Sequence, residues 1–201
     1  MAYQEIKLTR RDVARGEIHT AIDLLILGGD PVSCHVLASA ASDVLRGVAN
    51  ATGKRTFDSA MEEYIGTEHL TDYRKHVSCN YNFFKHAKDD PFRELGNFRP
   101  ETTVIELFSA VADYSSVYGQ ITAPMTIFKA WFICRYPTWF QAPLDKVAEA
   151  IKPHLGHPEG LPLAESLKEA RMLLATIKHD PTIFLEAVGG AQLDPIGNIE
   201  F

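Results

Sequence analysis

Apolar residues recur every three or four positions along most of the chain, which is the spacing of an amphipathic α-helix. The first helix is predicted to begin near Thr9 and to end at Gly28-Gly29, a pair that readily terminates helices. Asp30-Pro31 predicts a second helix, with an N-cap and a proline in its first turn, that runs to about Gly53. We expect the two helices to form an antiparallel hairpin. The inward stripe of the first is predicted to be Ala14, Ile18, Ala21, Ile22 and Leu25.

The rest of the chain carries the same helical signals. A shorter helix is expected between Thr56 and Ile65, and the following one should end near Lys88, because Asp90 precedes Pro91. The apolar stripe of that following helix is Leu70, Tyr73, Val77, Tyr81 and Phe84. Residues 91–100 are expected to form a loop, and further helices are predicted over 101–118, 123–135, 144–151 and 163–178, with an irregular end from Gly189.

No alternation of apolar and polar residues is long enough to predict a β-strand, so the expected fold class is all-α, a helical bundle. A proline- and glycine-rich link at 153–162 marks the best boundary. We therefore predict a bundle domain over residues 1–152 and C-terminal helices over 153–201. A segment of about 40 residues can hardly bury a stable core alone, so these helices should pack on the bundle.

Composition narrows the classes of protein. The chain is 46% hydrophobic and 23% charged, as in ordinary globular proteins, and its formal charge of -6 disfavours broad nucleic-acid binding while allowing a local basic patch. Its three cysteines are isolated, which argues against a disulfide framework. No apolar run approaches the roughly 20 residues of a membrane span, and the first residues do not resemble a signal peptide. We expect a cytoplasmic protein without membrane contact.

The most informative stretch is Asn82-Phe83-Phe84-Lys85-His86, in which Asn82 and His86 are four residues apart and share one helix face. Asp90 extends that polar face if the helix continues. A histidine can act as a general acid or base near neutral pH, an amide can orient a substrate, and a lysine can stabilise phosphate charge. These are the groups needed for RNA cleavage without a metal. The alternative is a solvated face, or structural hydrogen bonds made by Asn82 and His86.

A second polar stripe lies on the second helix and consists of His35, Ser39, Ser42 and Arg46. If it faces Asn82 and His86, the two helices enclose a polar cleft with both histidines, and Arg46 can bind phosphate or carboxylate. The alternative is again a stripe that faces solvent.

Neither a metal nor a cofactor is predicted. His154 and His157 are close in sequence, but no neighbouring side chain completes a tetrahedral metal site. An aromatic group on the helix over 123–135 and just beyond it is interpreted as core, although any exposed member would indicate an oligomer interface. A homodimer is expected. The group comprises Phe128, Trp131, Phe132, Tyr136, Trp139 and Phe140.

Three motifs together resemble a family of uncharacterised bacterial helical proteins, over roughly residues 10 to 140: Gly29-Asp30-Pro31, the stretch from His35 to Ala38, and Asn82 to Ala87. The last is also distantly similar to the HEPN superfamily, which consists of helical, often dimeric proteins that include toxin ribonucleases. Asn82 matches the polar position of the usual HEPN motif and His86 its histidine, whereas Tyr81 stands where that motif has arginine.

The HEPN resemblance implies that His86, assisted by Asn82, is the catalytic acid or base acting on RNA across a dimer cleft. The polar faces of the two helices predict that substrate is bound by His35, Arg46, Lys85 and Asp90. In the HEPN comparison, Arg46 or Lys85 would take the place of the missing arginine. The sequence is compatible with three functions. The first is cleavage or binding of RNA or a nucleotide at this cleft, the second is a non-catalytic module that binds a protein partner or dimerises, and the third is binding of a small ligand or a metal. It does not decide whether the protein is an enzyme.

Overall fold

A computed structural model describes residues 7–65, 67–86, 91–96, 98–139 and 146–179. Over these ranges the chain is helical and contains no β-strand, so the prediction of an all-α helical bundle is confirmed. Two short 3-10 turns follow the sixth and seventh helices, at Pro137–Trp139 and Lys152–His154. The helices are α1 (Arg10–Ile26), α2 (Pro31–Thr52), α3 (Phe57–Ile65), α4 (Thr67–Lys85), α5 (Pro100–Tyr118), α6 (Ala123–Arg135), α7 (Lys146–Ile151) and α8 (Leu163–His179).

Helix α1 begins and ends at local sequence signals. Its first turn is closed by a capping box, in which the amide of Asp12 donates to Thr9 Oγ1 at 3.2 Å and the amide of Thr9 donates to the Asp12 carboxylate at 3.0 Å. Gly28 leaves the helix with a φ of +72°. A Cβ atom at Gly29 would lie only 2.9 Å from the carbonyl oxygen of Leu24. The chain can therefore turn this closely only because both positions are glycine.

Helix α2 also begins and ends at local sequence signals. The carboxylate of Asp30 accepts the amide of Ser33 at 2.9 Å, and Gly53 ends the helix with a φ of +66°. The link over residues 27–30 is short, and α1 packs extensively along α2, so the two form the predicted antiparallel hairpin.

The relative directions of α2, α4 and α5 determine which of their residues meet at the candidate site. Thr103 Oγ1 donates to the carbonyl oxygen of Pro31 at 3.2 Å, so α2 and α5 start side by side. Further along, Arg46 of α2 and Asp113 of α5 line one cavity, so the two helices run parallel. Helix α4 runs in the opposite direction, because Phe84 near its end packs against the first half of α2.

The core lies where α1, α2, α5 and α6 meet, and α8 covers its outer side. Phe128, Trp131 and Phe132 are buried, which confirms that these aromatic residues of α6 belong to the core. Trp139 of the following 3-10 turn is 52% exposed. Trp131 also donates from Nε1 to the carbonyl oxygen of Ser166 at 2.9 Å, and this bond ties α8 to α6.

Several predicted features fall at or beyond the limits of the described residues. Helix α4 ends at Lys85, earlier than the predicted end near Lys88, although the amide of His86 still donates to the carbonyl oxygen of Asn82 at 2.9 Å. Asp90 and the segment from Gly189 lie outside the described residues, and the division at residue 152 stays a prediction. The cysteines are free, and none of the described helices combines the length and apolar character of a membrane span.

Candidate functional site

A polar cavity of about 350 Å³ opens between α2, α3, α4 and α5. A volume of this size is typical of the smaller ligand-binding pockets. We call it the polar cleft. It is defined by Ser42 and Arg46 of α2, Asp58 of α3, Arg74 of α4, and Glu106 and Asp113 of α5.

Glu106 is the most strongly perturbed carboxyl group of the polar cleft. Its side chain is 5% exposed, and this burial raises its pKa to about 7. The hydroxyl group of Ser42 opposes the shift, Asp58 adds to it, and Arg46 and Ser39 lower the pKa again. Because the resulting pKa is close to neutrality, Glu106 can both accept and donate a proton under ordinary conditions.

Asp113 lies two turns after Glu106 on the same side of α5. Burial raises its pKa to about 6, while a hydrogen bond from the backbone amide of Phe57 lowers it. Asp58 raises this pKa further and Arg46 lowers it. Phe57 is the first residue of α3, so the Asp113 carboxylate also satisfies one of the unpaired amides at the start of that helix.

Two guanidinium groups occupy the outer part of the cleft. Arg74 donates to the Asp58 carboxylate at 2.9 Å, and the two side chains are 43% and 12% exposed. Arg46 pairs at 3.1 Å with Asp43, which is outside the cleft, and these side chains are 48% and 54% exposed. Both arginines are therefore accessible to an anionic ligand group, and exposed ion pairs of this kind are weak enough to exchange partners.

Buried polar atoms continue from the cleft between α2 and α4. Ser39, Ser42 and Asn80 are each at most 4% exposed. Within the described residues, Ser39 Oγ, Ser42 Oγ and Asn80 Nδ2 have no hydrogen-bond partner. The hydroxyl groups of Ser42 and Ser39 nevertheless lie close enough to the Glu106 carboxyl group to favour its ionised form. Unpaired buried polar atoms cost stability, and a site that binds a polar ligand is one reason to retain them.

The structure places His35 in the core and not in an open cleft. Its side chain is completely buried, and its ring meets the rings of Phe84 and Phe98 edge-on, at centroid distances of 5.7 and 5.8 Å. Arg46, three turns further along the same stripe of α2, does line the polar cleft. The predicted substrate-binding residues of α2 are therefore divided between the core and the cleft.

Asn82, Lys85 and His86 are exposed and do not line the polar cleft. Lys85 Nζ donates to the hydroxyl group of Tyr81 at 2.9 Å, and this bond raises the pKa of the lysine. Asn82 and His86 each stand two residues from Phe84, which places them on nearly the opposite face of α4. His35 contacts Phe84, so the prediction that the two histidines share one cleft is wrong within a single chain.

Sequence reasoning missed four residues of the polar cleft: Asp58, Arg74, Glu106 and Asp113. One signal could have found two of them. Glu106 and Asp113 are seven residues apart, hence on the same face of a helix whose remaining residues are mostly apolar or small. Acidic residues on a helix that is apolar around most of its circumference are expected to be buried.

No three histidine, cysteine or acidic side chains among the described residues are arranged to hold a metal ion. Comparisons with models of protein families, with curated proteins and with solved structures find no match for the chain. The resemblance to HEPN proteins consequently stays a prediction. The fold and the polar cleft define this chain as an all-α protein with a charged interhelical pocket.

Proposed function

We propose that the protein binds a small polar molecule in the polar cleft and that Glu106 exchanges a proton with this molecule. The observation that supports the proposal is that two buried carboxyl groups, Glu106 and Asp113, share one cavity of about 350 Å³ with two accessible guanidinium groups. Perturbed titratable groups that converge in a cavity are typical of binding and catalytic sites.

A purely structural role explains this arrangement less well. Burial of a carboxyl group costs free energy, and apolar residues of similar volume stabilise a helix interface at least as well. Asp113 has one clear structural task, since it binds the amide of Phe57. Glu106 is 5% exposed and lies beside the hydroxyl groups of Ser39 and Ser42.

The proposal is tested by introducing a bulky side chain at the opening of the cleft. Ser78 is exposed on α4 and lines the cleft, so the ring in Ser78→Trp is expected to fill the cavity without disturbing the core. Lys168→Trp, at an exposed position of α8, is the matched control. The melting temperature of the wild type and both variants is measured against a set of amines, amino acids, sugars, nucleotides and organic phosphates.

At least one compound should raise the melting temperature of the wild type and of Lys168→Trp by several degrees at saturating concentration. The same compound should leave Ser78→Trp unchanged. The proposal is wrong if no compound acts, or if Ser78→Trp responds as the wild type does.

RNA cleavage or binding at Asn82 and His86 is the second candidate function. The observation that favours it is that Asn82 near the end of α4 and His86 directly after it are both exposed, where a polymer too large for the cleft can reach them. In this proposal His86 acts as the general acid or base and Asn82 orients the RNA, with Lys85 as the neighbouring cation.

A further inference from the structure

Arg46 lies between one exposed carboxylate and two buried carboxyl groups. Its Nη1 donates to Asp43 Oδ1 at 3.1 Å, three residues earlier on α2, and Asp43 does not line the polar cleft. Arg46 itself lines the cleft together with Glu106 and Asp113. Burial raises the pKa of both of these carboxyl groups, and the positive charge of Arg46 opposes the rise. One guanidinium group is thus shared by carboxylates inside and outside the cleft.

The pair with Asp43 does not fix Arg46 firmly. The side chains of Arg46 and Asp43 are 48% and 54% exposed, and solvent weakens ion pairs of this kind. An arginine side chain also has several rotatable bonds, so it can change its partner without any movement of the helix. A small change in the attraction exerted by either side is therefore enough to redirect Arg46.

The attraction from inside the cleft depends on protonation. Glu106 and Asp113 are buried, and burial raises their pKa values to about 7 and about 6. When protonated, the two carboxyl groups are neutral and attract a guanidinium group only weakly, so Asp43 retains Arg46. When ionised, they attract Arg46 in a poorly solvated environment, where charges interact more strongly than at the surface. Asp43 therefore competes with the ionised forms of Glu106 and Asp113 for the same cation.

Other groups act on Glu106 from the neighbouring helices. Ser42 and Ser39 of α2 favour its ionised form, and Asp58 of α3 disfavours it. Arg74 of α4 also lines the cleft, but it is held by Asp58 at 2.9 Å. Among the cations that line the cleft, Arg46 is thus the one whose ion-pair partner lies outside.

Asp43 also has other cations near it. The pKa of Lys85 on α4 is raised by the bond to Tyr81 and further by the charge of Asp43. Arg10 of α1 lines a shallow surface groove together with Asp43. A substitution at Asp43 consequently affects more than Arg46, and a test of its role has to separate these effects.

We infer that Asp43 is a positioning residue, which from outside the polar cleft holds Arg46 in the outer part of the cleft and so controls how readily Glu106 and Asp113 release a proton. This inference rests on the proposed function, because it concerns the group that exchanges a proton with the ligand. Asp43 acts only through Arg46. Without the Asp43 carboxylate, Arg46 turns toward Glu106 and Asp113 and stabilises their ionised forms.

The test measures the pKa of Glu106 from the NMR signal of its carboxyl carbon, in the protein without ligand. The signal is assigned by its loss in Glu106→Gln. Asp43→Asn should lower the pKa of Glu106 by at least about 0.5, because the released guanidinium group favours the ionised form. Asp43→Glu keeps a carboxylate three residues before Arg46 and should leave the pKa within about 0.2 of the wild-type value.

A double-mutant cycle separates positioning from the direct effect of the Asp43 charge. Loss of a negative charge lowers the pKa of other carboxyl groups even if no side chain moves, and Lys85 and Arg10 respond to it as well. These effects persist in Arg46→Gln. In that background, Asp43→Asn should lower the pKa of Glu106 by less than about 0.2. Circular dichroism verifies that all variants are folded.

The inference is overturned if Asp43→Asn leaves the pKa of Glu106 unchanged, or lowers it equally with and without Arg46. In both cases the proposed function stands, provided that some compound stabilises the wild type but not Ser78→Trp. If no compound does so while Asp43→Asn acts only in the presence of Arg46, the positioning of Arg46 is established and the proposed function alone fails.

Discussion

The imidazole ring of His35 lies edge-on against the phenyl ring of Phe84, with the two ring centroids 5.7 Å apart. This contact joins α2 to the inner face of α4 and keeps His35 completely buried. His86, two residues beyond Phe84, is exposed. The sequence analysis placed both histidines in one cleft, whereas in the structure His35 is part of the packed interior and His86 faces solvent.

The difference can be measured as stability. His35→Ala leaves a cavity between aromatic rings and should lower the free energy of unfolding by about 2–4 kcal/mol. His86→Ala changes an exposed side chain and should alter it by no more than about 0.5 kcal/mol. Urea unfolding of both variants at pH 7 gives the two values, and equal losses would contradict the burial of His35.

Glu106 makes stability depend on pH. The folded protein holds the Glu106 proton up to about pH 7, whereas a glutamic acid in the unfolded chain loses it near the ordinary value of 4.5. The folded state thus binds more protons between these limits, so this contribution is fully present below about pH 4.5 and is lost as the pH rises through about 7.

Glu106→Gln removes that dependence. The variant should gain stability over the wild type as the pH rises from 5 to 8, by on the order of 2 kcal/mol. Glu101→Gln is exposed on the same helix and should show no such gain. Urea unfolding of the three proteins at pH 5 and pH 8 tests this, and parallel pH profiles of Glu106→Gln and the wild type would refute it.

Ribonuclease activity at α4 makes a separate prediction. If His86 is the acid or base, purified wild type should cleave single-stranded RNA in the presence of a chelator, and His86→Ala should cleave it at least about 100-fold more slowly. His154→Ala, at another exposed histidine, serves as the control and should retain activity. Intact RNA after incubation with the wild type, or full activity of His86→Ala, would exclude this function.

Arg171 anchors α8 to the hairpin. Its Nε donates to the carbonyl oxygen of Ile26 at 2.9 Å, which is one of the unpaired carbonyl groups at the end of α1. Arg171→Met keeps much of the aliphatic stem but loses this bond, and should lower the free energy of unfolding by about 1–2 kcal/mol. Thermal unfolding measures the loss, and a similar loss in the exposed control Lys168→Met would argue against an anchoring role.

The ends of several helices could be predicted because their signals are local. Asp30 caps α2 and Gly53 ends it with a positive φ angle, as the sequence indicated. Gly119 ends α5 in the same way, one residue after the predicted end at residue 118. Each of these interactions involves residues close together in the chain. The polar stripe of α2 was also visible, but the sequence could not show which of its members face another helix.

The floor of the polar cleft depends on contacts between distant segments. On a helix with one apolar stripe and a solvated remainder, Glu106 and Asp113 would be exposed to solvent. In the structure α5 packs against α1, α2, α3 and α6, so its polar side is buried as well. The packing of the helices against one another therefore decides which polar residues become buried. The periodicity of a single helix does not reveal this packing.

Asp113 holds the first turn of α3 through the amide of Phe57 and, with the same carboxylate, forms part of the cavity wall. The Asp113 carboxylate stabilises the first turn of α3 most strongly when it carries its full negative charge. Protonation of the Asp113 carboxylate, or its interaction with a bound ligand, would accordingly weaken the contact between α5 and α3. If the polar cleft binds a ligand as proposed, its occupancy would therefore change the stability of the first turn of α3.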